Sequence, residues 1–208
     1  MRIAIIGAAG MIGFKLANHL LQHGLAANSP IQSMQLYDVS PTLPMPLASD
    51  RYQYHCIDFS SPQAAEKIVR DRPDLLIHLA AIVSGEAEKD FDKGYAINLA
   101  GSHQLFEAIR HAHQHDGYYP RMVFASSIAV VGAPLPFPIP DEFHLTPLTS
   151  YGTQKAITEL LLADYSRRGF MAGVGIRLPT ICVRPGKHNA AASGFFSSLS
   201  REPSNGQT

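Results

Sequence analysis

Residues 1–21 read MRIAIIGAAGMIGFKLANHLL, and this stretch decides the fold. The apolar run at residues 2–6 predicts a buried strand, and helical periodicity begins near Met11. Between them, Gly7, Gly10 and Gly13 are spaced as GxxGxxG. Glycines at such a junction let backbone N–H groups approach a pyrophosphate at the helix N-terminus. We therefore predict a dinucleotide-binding turn, although the glycines alone would also fit a simple tight turn.

Asp38 ends the next predicted strand, at about the distance from Gly13 expected of a group that binds a ribose 2′-hydroxyl. A 2′-phosphate would be repelled by its charge. The following residues, Val39, Ser40 and Pro41, include no arginine that could accept this phosphate. The sequence therefore predicts NAD as the cofactor rather than NADP.

Apolar runs alternate with helical patterns along the whole chain. The predicted strands are residues 2–6, 34–37, 52–57, 74–81, 121–125 and 174–178, and the predicted helices are 11–23, 62–72, 95–115 and 151–168. This alternation is typical of an α/β fold with a Rossmann-like, doubly wound parallel sheet and helices on both faces. We expect residues 1–180 to form the NAD-binding domain, and residues 181–208 to begin a small substrate lobe that is incomplete in this chain.

Composition excludes several classes of protein. The 208 residues carry 17 Lys and Arg against 17 Asp and Glu, so no basic surface is expected to bind nucleic acid. The chain contains no run of about 18 apolar residues, the length that a membrane span needs, and the apolar start is too short for a secretion signal. The two cysteines, Cys56 and Cys182, lie in apolar runs and are interpreted as buried thiols. A cytoplasmic protein is expected.

Tyr151 and Lys155 lie one turn apart at the start of a predicted helix. A cation about 4 Å from a phenol, at an effective dielectric of about 20, favours the phenolate by about 4 kcal/mol, or about three pKa units. Such a tyrosine can take a proton from a secondary alcohol near neutral pH. Ser126 and Ser127 end the fifth predicted strand and could orient the substrate oxygen. A solvated surface pair is the alternative interpretation of Tyr151 and Lys155.

These motifs together resemble the extended short-chain dehydrogenase/reductase family, also described as NAD-dependent epimerases and dehydratases. The resemblance covers nearly the whole chain and includes residues 78–81, Asn98 with Gly101, and residues 126–132. It implies that Ser127, Tyr151 and Lys155 are catalytic and that the protein is a homodimer. The residues that the resemblance implies or supports as cofactor-binding are Gly7, Gly10, Met11, Ile12, Gly13, Asp38, Asp58, Ala80, Ala81, Asn98, Tyr151, Lys155 and Pro179.

Two positions depart from the family pattern. Val131 replaces a tyrosine, and residues 177–180 replace an arginine-asparagine pattern linked to nucleotide-sugar substrates. The stretch 177–198 instead resembles a subgroup that uses NAD to oxidise the C2 hydroxyl of D-erythronate to 2-oxo-erythronate. The substrate residues expected from this resemblance are Ser84, Ser127, Tyr151, Arg184 and Asn189. Arg184 is the candidate carboxylate clamp, with a structural salt bridge as its alternative.

Two other functions stay open at this stage. A nucleotide-sugar epimerase or dehydratase would use the same tyrosine and lysine with tightly bound NAD, whereas a non-catalytic homologue would bind NAD without turnover. The presence of Ser127, Tyr151 and Lys155 argues against the second. His111, His113 and His115 lack an accompanying carboxylate motif, so we interpret them as a polar helix end and expect no metal.

Overall fold

A computed structural model describes residues 1–26, 28–47 and 49–181 of the chain. The strands of this part are β1 Arg2–Ile6, β2 Leu25–Ala26, β3 Ser29–Pro30, β4 Ser33–Asp38, β5 Tyr52–Cys56, β6 Leu75–His78, β7 Arg121–Ser127 and β8 Ala172–Leu178. The α-helices are α1 Met11–His23, α2 Ala64–Arg70, α3 Ser84–Lys89, α4 Phe91–Gly94, α5 Ser102–Asp116 and α6 Ser150–Arg167. A π-helix covers Tyr95–Gly101, and a 3-10 helix covers Ile128–Val130.

Six strands form one parallel sheet in the order β5-β4-β1-β6-β7-β8, which confirms the predicted fold class. The chain first moves outward from β1 through β4 to β5, and then returns to β6 on the other side of β1. The strand order thus reverses between β1 and β6, where Ile6 lies opposite His78. In open α/β sheets, ligands bind outside the carboxyl ends of the strands at this point.

The core lies on both faces of the sheet, because alternate residues of a strand point to opposite sides. Ile3 and Ile5 of β1 pack in a cluster that includes Ala17 of α1. Ala4 and Ile6 pack in the other cluster, which receives residues of α2, α5 and α6. The strand is therefore buried on both faces, as expected of a parallel strand in a doubly wound sheet.

Several predicted bounds are wrong. The predicted strand at 74–81 ends at His78, so residues 79–83 form a loop, and the predicted helix at 95–115 begins as the π-helix. Helices α3 and α4 and the small β2–β3 pair were not predicted. Their segments are too short to show a periodicity.

The prediction that Cys56 is buried is also wrong. Cys56 is exposed because it is the last residue of β5, which lies at the edge of the sheet. Cys182 lies outside the described residues, as does nearly all of the predicted lobe at 181–208. Among the helices that the structure describes, none is long and apolar enough to cross a membrane.

Candidate cofactor and catalytic site

The turn after β1 requires its glycines. Gly7 has a φ of +89°, and a Cβ placed there would lie 2.7 Å from the Ala80 backbone nitrogen. A Cβ on Gly13 would lie 2.1 Å from the Gly7 carbonyl oxygen. Gly10 occupies the N-cap of α1, where it has no side chain to bond the first-turn N–H groups of Met11 and Ile12. The turn thus brings bare backbone close to the sheet and presents a helix N-terminus, as a pyrophosphate site needs.

A cavity of about 760 Å³ opens beside this turn, at the carboxyl ends of the strands. Its volume lies within the range of ordinary ligand pockets. Six of the predicted cofactor residues line it: Gly7, Gly10, Asp38, Asp58, Ala80 and Ala81. The residues present therefore fit a dinucleotide at the predicted place.

Asp38 is held in the cavity wall by backbone hydrogen bonds. One carboxylate oxygen accepts a bond from the Ala9 N–H at 2.9 Å, and the other accepts one from the Ser40 N–H at 3.0 Å. Each oxygen of an ionised carboxylate can accept more than one bond. Asp38 can therefore keep both contacts and also accept a ribose hydroxyl.

Asp58 follows β5 and is exposed in the cavity wall. Its carboxylate accepts bonds from the N–H and the hydroxyl of Ser60, at 2.9 and 2.7 Å. Nearby in the same wall, Lys93 and Glu86 form an ion pair of 2.6 Å. Sequence analysis missed this pair because α3 and α4, which carry it, were not predicted.

Asn98 does not line the cavity. It is buried in the π-helix, where its side-chain oxygen accepts a bond from the Ile82 N–H at 2.9 Å. Its side-chain nitrogen donates to the Ile82 carbonyl at 3.3 Å and to Gln154 at 2.8 Å. The structure thus places this predicted cofactor residue behind the cavity wall, in contact with it.

Lys155 is buried beside the ring of Tyr151. Its ammonium lies 5.8 Å from the Tyr151 ring centroid and donates to the Ala125 carbonyl at 2.9 Å. It also lies 4.6 Å from the centre of the Phe124 ring. Burial lowers the pKa of Lys155 to about 7, because a charged ammonium is poorly solvated there. Its charge, on which the expected phenolate chemistry depends, therefore changes near neutral pH.

Ser126 and Ser127 have different surroundings. Ser126 is buried and donates its hydroxyl to the carboxylate of Glu159 in α6. Glu159 in turn forms a salt bridge of 2.9 Å with Arg177 of β8. Ser127 is half-buried at the end of β7, where its hydroxyl oxygen accepts a bond from the Ala129 N–H at 3.2 Å. Ser127 is therefore the serine that this geometry favours as a substrate contact.

Two of the other predicted site residues, Pro179 and Ser84, lie in the described part of the chain. Pro179 is exposed and directly follows Leu178, which pairs with Ser127 across β7 and β8. Ser84 begins α3. Arg184 and Asn189 lie outside the described residues. Within the described part of the chain, no group of three or more His, Cys, Asp and Glu residues is arranged to hold a metal ion.

The reversed strand order, the glycine turn and the carboxylate of Asp38 define a dinucleotide-binding α/β protein. Ser127, Tyr151 and Lys155 do not line the cavity; they lie on β7 and α6. The chain belongs to the NAD dependent epimerase/dehydratase family, whose sequence profile matches residues 3–207. This match confirms the family resemblance expected from the motifs.

Two curated relatives are similar over nearly the whole chain. It is 45% identical over 208 residues to D-erythronate dehydrogenase of Cupriavidus necator and 40% identical over 207 residues to D-erythronate dehydrogenase of Haemophilus influenzae. The alignments cover 99% and 100% of this chain, but only 63% of either relative. The chain thus spans less than two thirds of their length.

Two solved structures share the fold. The nucleoside-diphosphate-sugar epimerase of Agrobacterium tumefaciens superposes with a TM-score of 0.90 at 63% identity, covering 98% of this chain and 59% of that one. The Thermus thermophilus UDP-glucose 4-epimerase, solved as a complex with NAD, superposes with a TM-score of 0.81 at 22% identity. That alignment covers 100% of this chain and 64% of the epimerase, and at this identity it shows the fold alone.

Proposed function

We propose that this chain provides the NAD-binding and proton-transferring part of a dehydrogenase that oxidises the C2 hydroxyl of a small sugar acid. The observation that carries the proposal is the buried Lys155 beside Tyr151 in α6, the helix that Asn98 joins by hydrogen bonds to the wall of the cavity. The similarity to two D-erythronate dehydrogenases supports D-erythronate as the substrate and 2-oxo-erythronate as the product.

The cavity residues fit the parts of NAD by their chemistry. Gly7, Gly10 and the first-turn N–H groups of Met11 and Ile12 would bind the pyrophosphate. Gly13 keeps α1 close to the turn, because any side chain there would collide with the Gly7 carbonyl. Asp38 would accept the ribose 2′-hydroxyl, and Asp58 would lie at the adenine end, as the family resemblance implies.

We assign proton transfer to Ser127, Tyr151 and Lys155. When bound, NAD supplies the acceptor for a hydride from the alcohol carbon. The Tyr151 hydroxyl would take the alcohol proton, and Lys155 would stabilise the phenolate by its charge. Ser127 would donate a hydrogen bond to the substrate oxygen and hold it in place.

The substrate acid requires a cation for its carboxylate. We propose Arg184 for this role, with Asn189 and Ser84 as hydrogen-bonding partners of the hydroxyl groups. Arg184→Lys in the full-length protein should raise KM for the acid far more than it changes NAD affinity, because lysine cannot form the same bidentate pair. An unchanged KM would remove Arg184 from the site.

A nucleotide-sugar epimerase is the second candidate function. It is favoured by the 63% identical structure from Agrobacterium tumefaciens, which is described as a nucleoside-diphosphate-sugar epimerase. The two functions differ in the fate of the cofactor. A dehydrogenase releases reduced NAD after each turnover, whereas an epimerase retains the cofactor through a complete cycle.

In the deciding experiment, the full-length protein is incubated with added NAD and a panel of C2-hydroxy sugar acids that includes D-erythronate. Formation of free reduced NAD is followed by its absorbance, and the same preparation is tested for interconversion of nucleotide sugars. Reduction of NAD by a sugar acid would support the proposal. Interconversion of a nucleotide sugar without net NAD reduction would support the epimerase instead.

A further inference from the structure

One wall of the cavity is the loop at residues 79–82, which lies beyond the hydrogen-bonded end of β6. The Leu79 N–H is bonded to the Ile6 carbonyl at 2.8 Å, and this bond fixes the start of the loop. At its far end, both backbone polar groups of Ile82 are bonded to the side chain of Asn98. The amide of Asn98 therefore takes the place of a neighbouring strand and holds the wall in position.

Gln154 extends this contact to the helix that carries Tyr151 and Lys155. Its side-chain oxygen accepts a hydrogen bond from the Asn98 side-chain nitrogen at 2.8 Å. Gln154 is completely buried and directly precedes Lys155 in α6. A continuous chain of amide hydrogen bonds thus runs from the Ile82 backbone through Asn98 to Gln154.

The side-chain nitrogen of Gln154 differs from the side-chain oxygen. It is buried and has no hydrogen-bond partner among the described residues. It fits against Gly94, where a Cβ would lie 2.7 Å from this nitrogen. A buried donor without a partner costs about 1–3 kcal/mol, so an apolar side chain of similar length would avoid this penalty. The bond from Gln154 to Asn98 is the contact that an apolar residue would lose.

Asn98 is fixed from its backbone as well. It lies in the π-helix, and π-helical turns occur frequently at functional sites. Its carbonyl oxygen accepts the Ser102 hydroxyl at 2.8 Å, and the same hydroxyl lies 2.9 Å from a ring nitrogen of His78. The Thr158 hydroxyl of α6 lies 3.4 Å from this carbonyl, and its shorter bond is to the Gln154 carbonyl at 2.8 Å. With the backbone of Asn98 held in this way, its side-chain amide is oriented by Gln154 on one side and by the Ile82 backbone on the other.

We propose that Gln154 is a positioning residue that acts through Asn98 to fix the cavity wall at residues 79–82 relative to the catalytic helix α6. Gln154 contacts neither cofactor nor substrate in this proposal. Its consequence for NAD binding depends on the proposed function, whereas its effect on the wall is a property of the protein alone.

Two substitutions of nearly equal size separate positioning from packing. Gln154→Met removes the acceptor oxygen but keeps the length and volume of the side chain. Gln154→Glu keeps an acceptor oxygen for Asn98 in either protonation state and loses no bond at the unpartnered end. Leu162→Met, at a buried position on the same helix, controls for a general effect of core substitution.

The first measurement is hydrogen–deuterium exchange at the Ile82 amide of the full-length protein without added cofactor. Exchange should accelerate about tenfold in Gln154→Met, about the effect of one buried hydrogen bond, and stay near the wild-type rate in Gln154→Glu and Leu162→Met. The second measurement is the Kd for NAD, which should rise by a similar factor in Gln154→Met only.

Wild-type exchange at Ile82 in Gln154→Met would overturn the proposal. So would equal acceleration in Gln154→Met and Gln154→Glu, which would reduce Gln154 to a packing residue. A wild-type protein that binds no NAD would contradict the proposed function, and the exchange rates would still decide the role of Gln154.

Discussion

The carboxylate of Asp38 accepts a hydrogen bond from the Ala9 N–H at 2.9 Å, which ties the end of β4 to the glycine turn after β1. The second oxygen accepts the Ser40 N–H at 3.0 Å. These two bonds hold a negative charge in the wall of the cavity, beside the turn. A ribose 2′-hydroxyl can donate to this carboxylate, whereas a 2′-phosphate is repelled by it.

Asp38→Asn should therefore reduce the preference for NAD over NADP about tenfold or more. The asparagine oxygen can still accept the Ala9 N–H, so the turn keeps one of its bonds while the charge is lost. Titration of the wild type and the variant with both nucleotides measures the ratio of the two Kd values. Asp58→Asn, at a second carboxylate of the cavity wall, is the matched control. A ratio that Asp38→Asn leaves unchanged would show that Asp38 does not select the cofactor.

Tyr151→Phe should lower turnover of the full-length enzyme by about 100-fold or more, the size expected of a lost general base. The ring stays in place, so NAD affinity should change little. Steady-state kinetics with D-erythronate and a separate NAD titration measure the two effects. Normal turnover in a correctly folded Tyr151→Phe variant would exclude Tyr151 as the base.

The two serines at the end of β7 should differ when each is replaced by alanine. Ser127→Ala should lower kcat by about 100-fold, as expected when a donor to the reacting oxygen is lost. Ser126→Ala should instead reduce stability by about 1–2 kcal/mol, because the half-buried Glu159 carboxylate loses its hydroxyl donor. Kinetics and urea denaturation of both variants test this. Equal kcat values in the two variants would contradict the assignment of Ser127.

The parts of the site that depend on local sequence could be predicted, and those that depend on distant segments could not. Gly7 and Gly13 can be recognised from the sequence because they lie in one short turn, where their Cα atoms contact backbone atoms so closely that a Cβ would collide. The role of Asn98 was not predictable in detail, because it needs contacts with Ile82 and Gln154 from other parts of the chain. The low pKa of Lys155 was missed for a related reason, since burial is decided by the packing of α6 against β7.

His78 should make the protein sensitive to acid. Burial, with a smaller contribution from Lys155, lowers its pKa from 6.5 to about 3. Between these values the unfolded chain binds more protons than the native state, so stability is lost as the pH falls from 6.5 toward 3. The slope of unfolding free energy against pH should be smaller in His78→Gln, by at most about 1.4 kcal/mol per pH unit. Denaturant unfolding across this range measures it.

The matched control for His78 is His115→Gln, because the His115 side chain is 84% exposed at the end of α5. This variant should keep the acid sensitivity of the wild type. Equal slopes in His78→Gln and the wild type would show that His78 is not the source of that sensitivity.

Lys155 should produce a pH dependence in the alkaline range. Its pKa is lowered by burial from 10.5 to about 7, so the unfolded chain binds more protons than the native state between these values. The contribution of Lys155 to stability is therefore complete above pH 10.5 and is lost as the pH falls to about 7. Urea denaturation at about pH 6, 8 and 10 should show that stability relative to Lys155→Met rises with pH.

The control for Lys155 is Lys93→Met. The pKa of Lys93 is raised by its hydrogen bond with Glu86, so its contribution changes only above the window that Lys155 defines. Wild type and Lys93→Met should therefore gain stability in parallel from pH 7 to 10, while Lys155→Met gains less. A parallel gain in all three proteins would mean that Lys155 keeps its charge in the native state throughout this range. It would then be the permanent cation that the phenolate chemistry of Tyr151 was first expected to use.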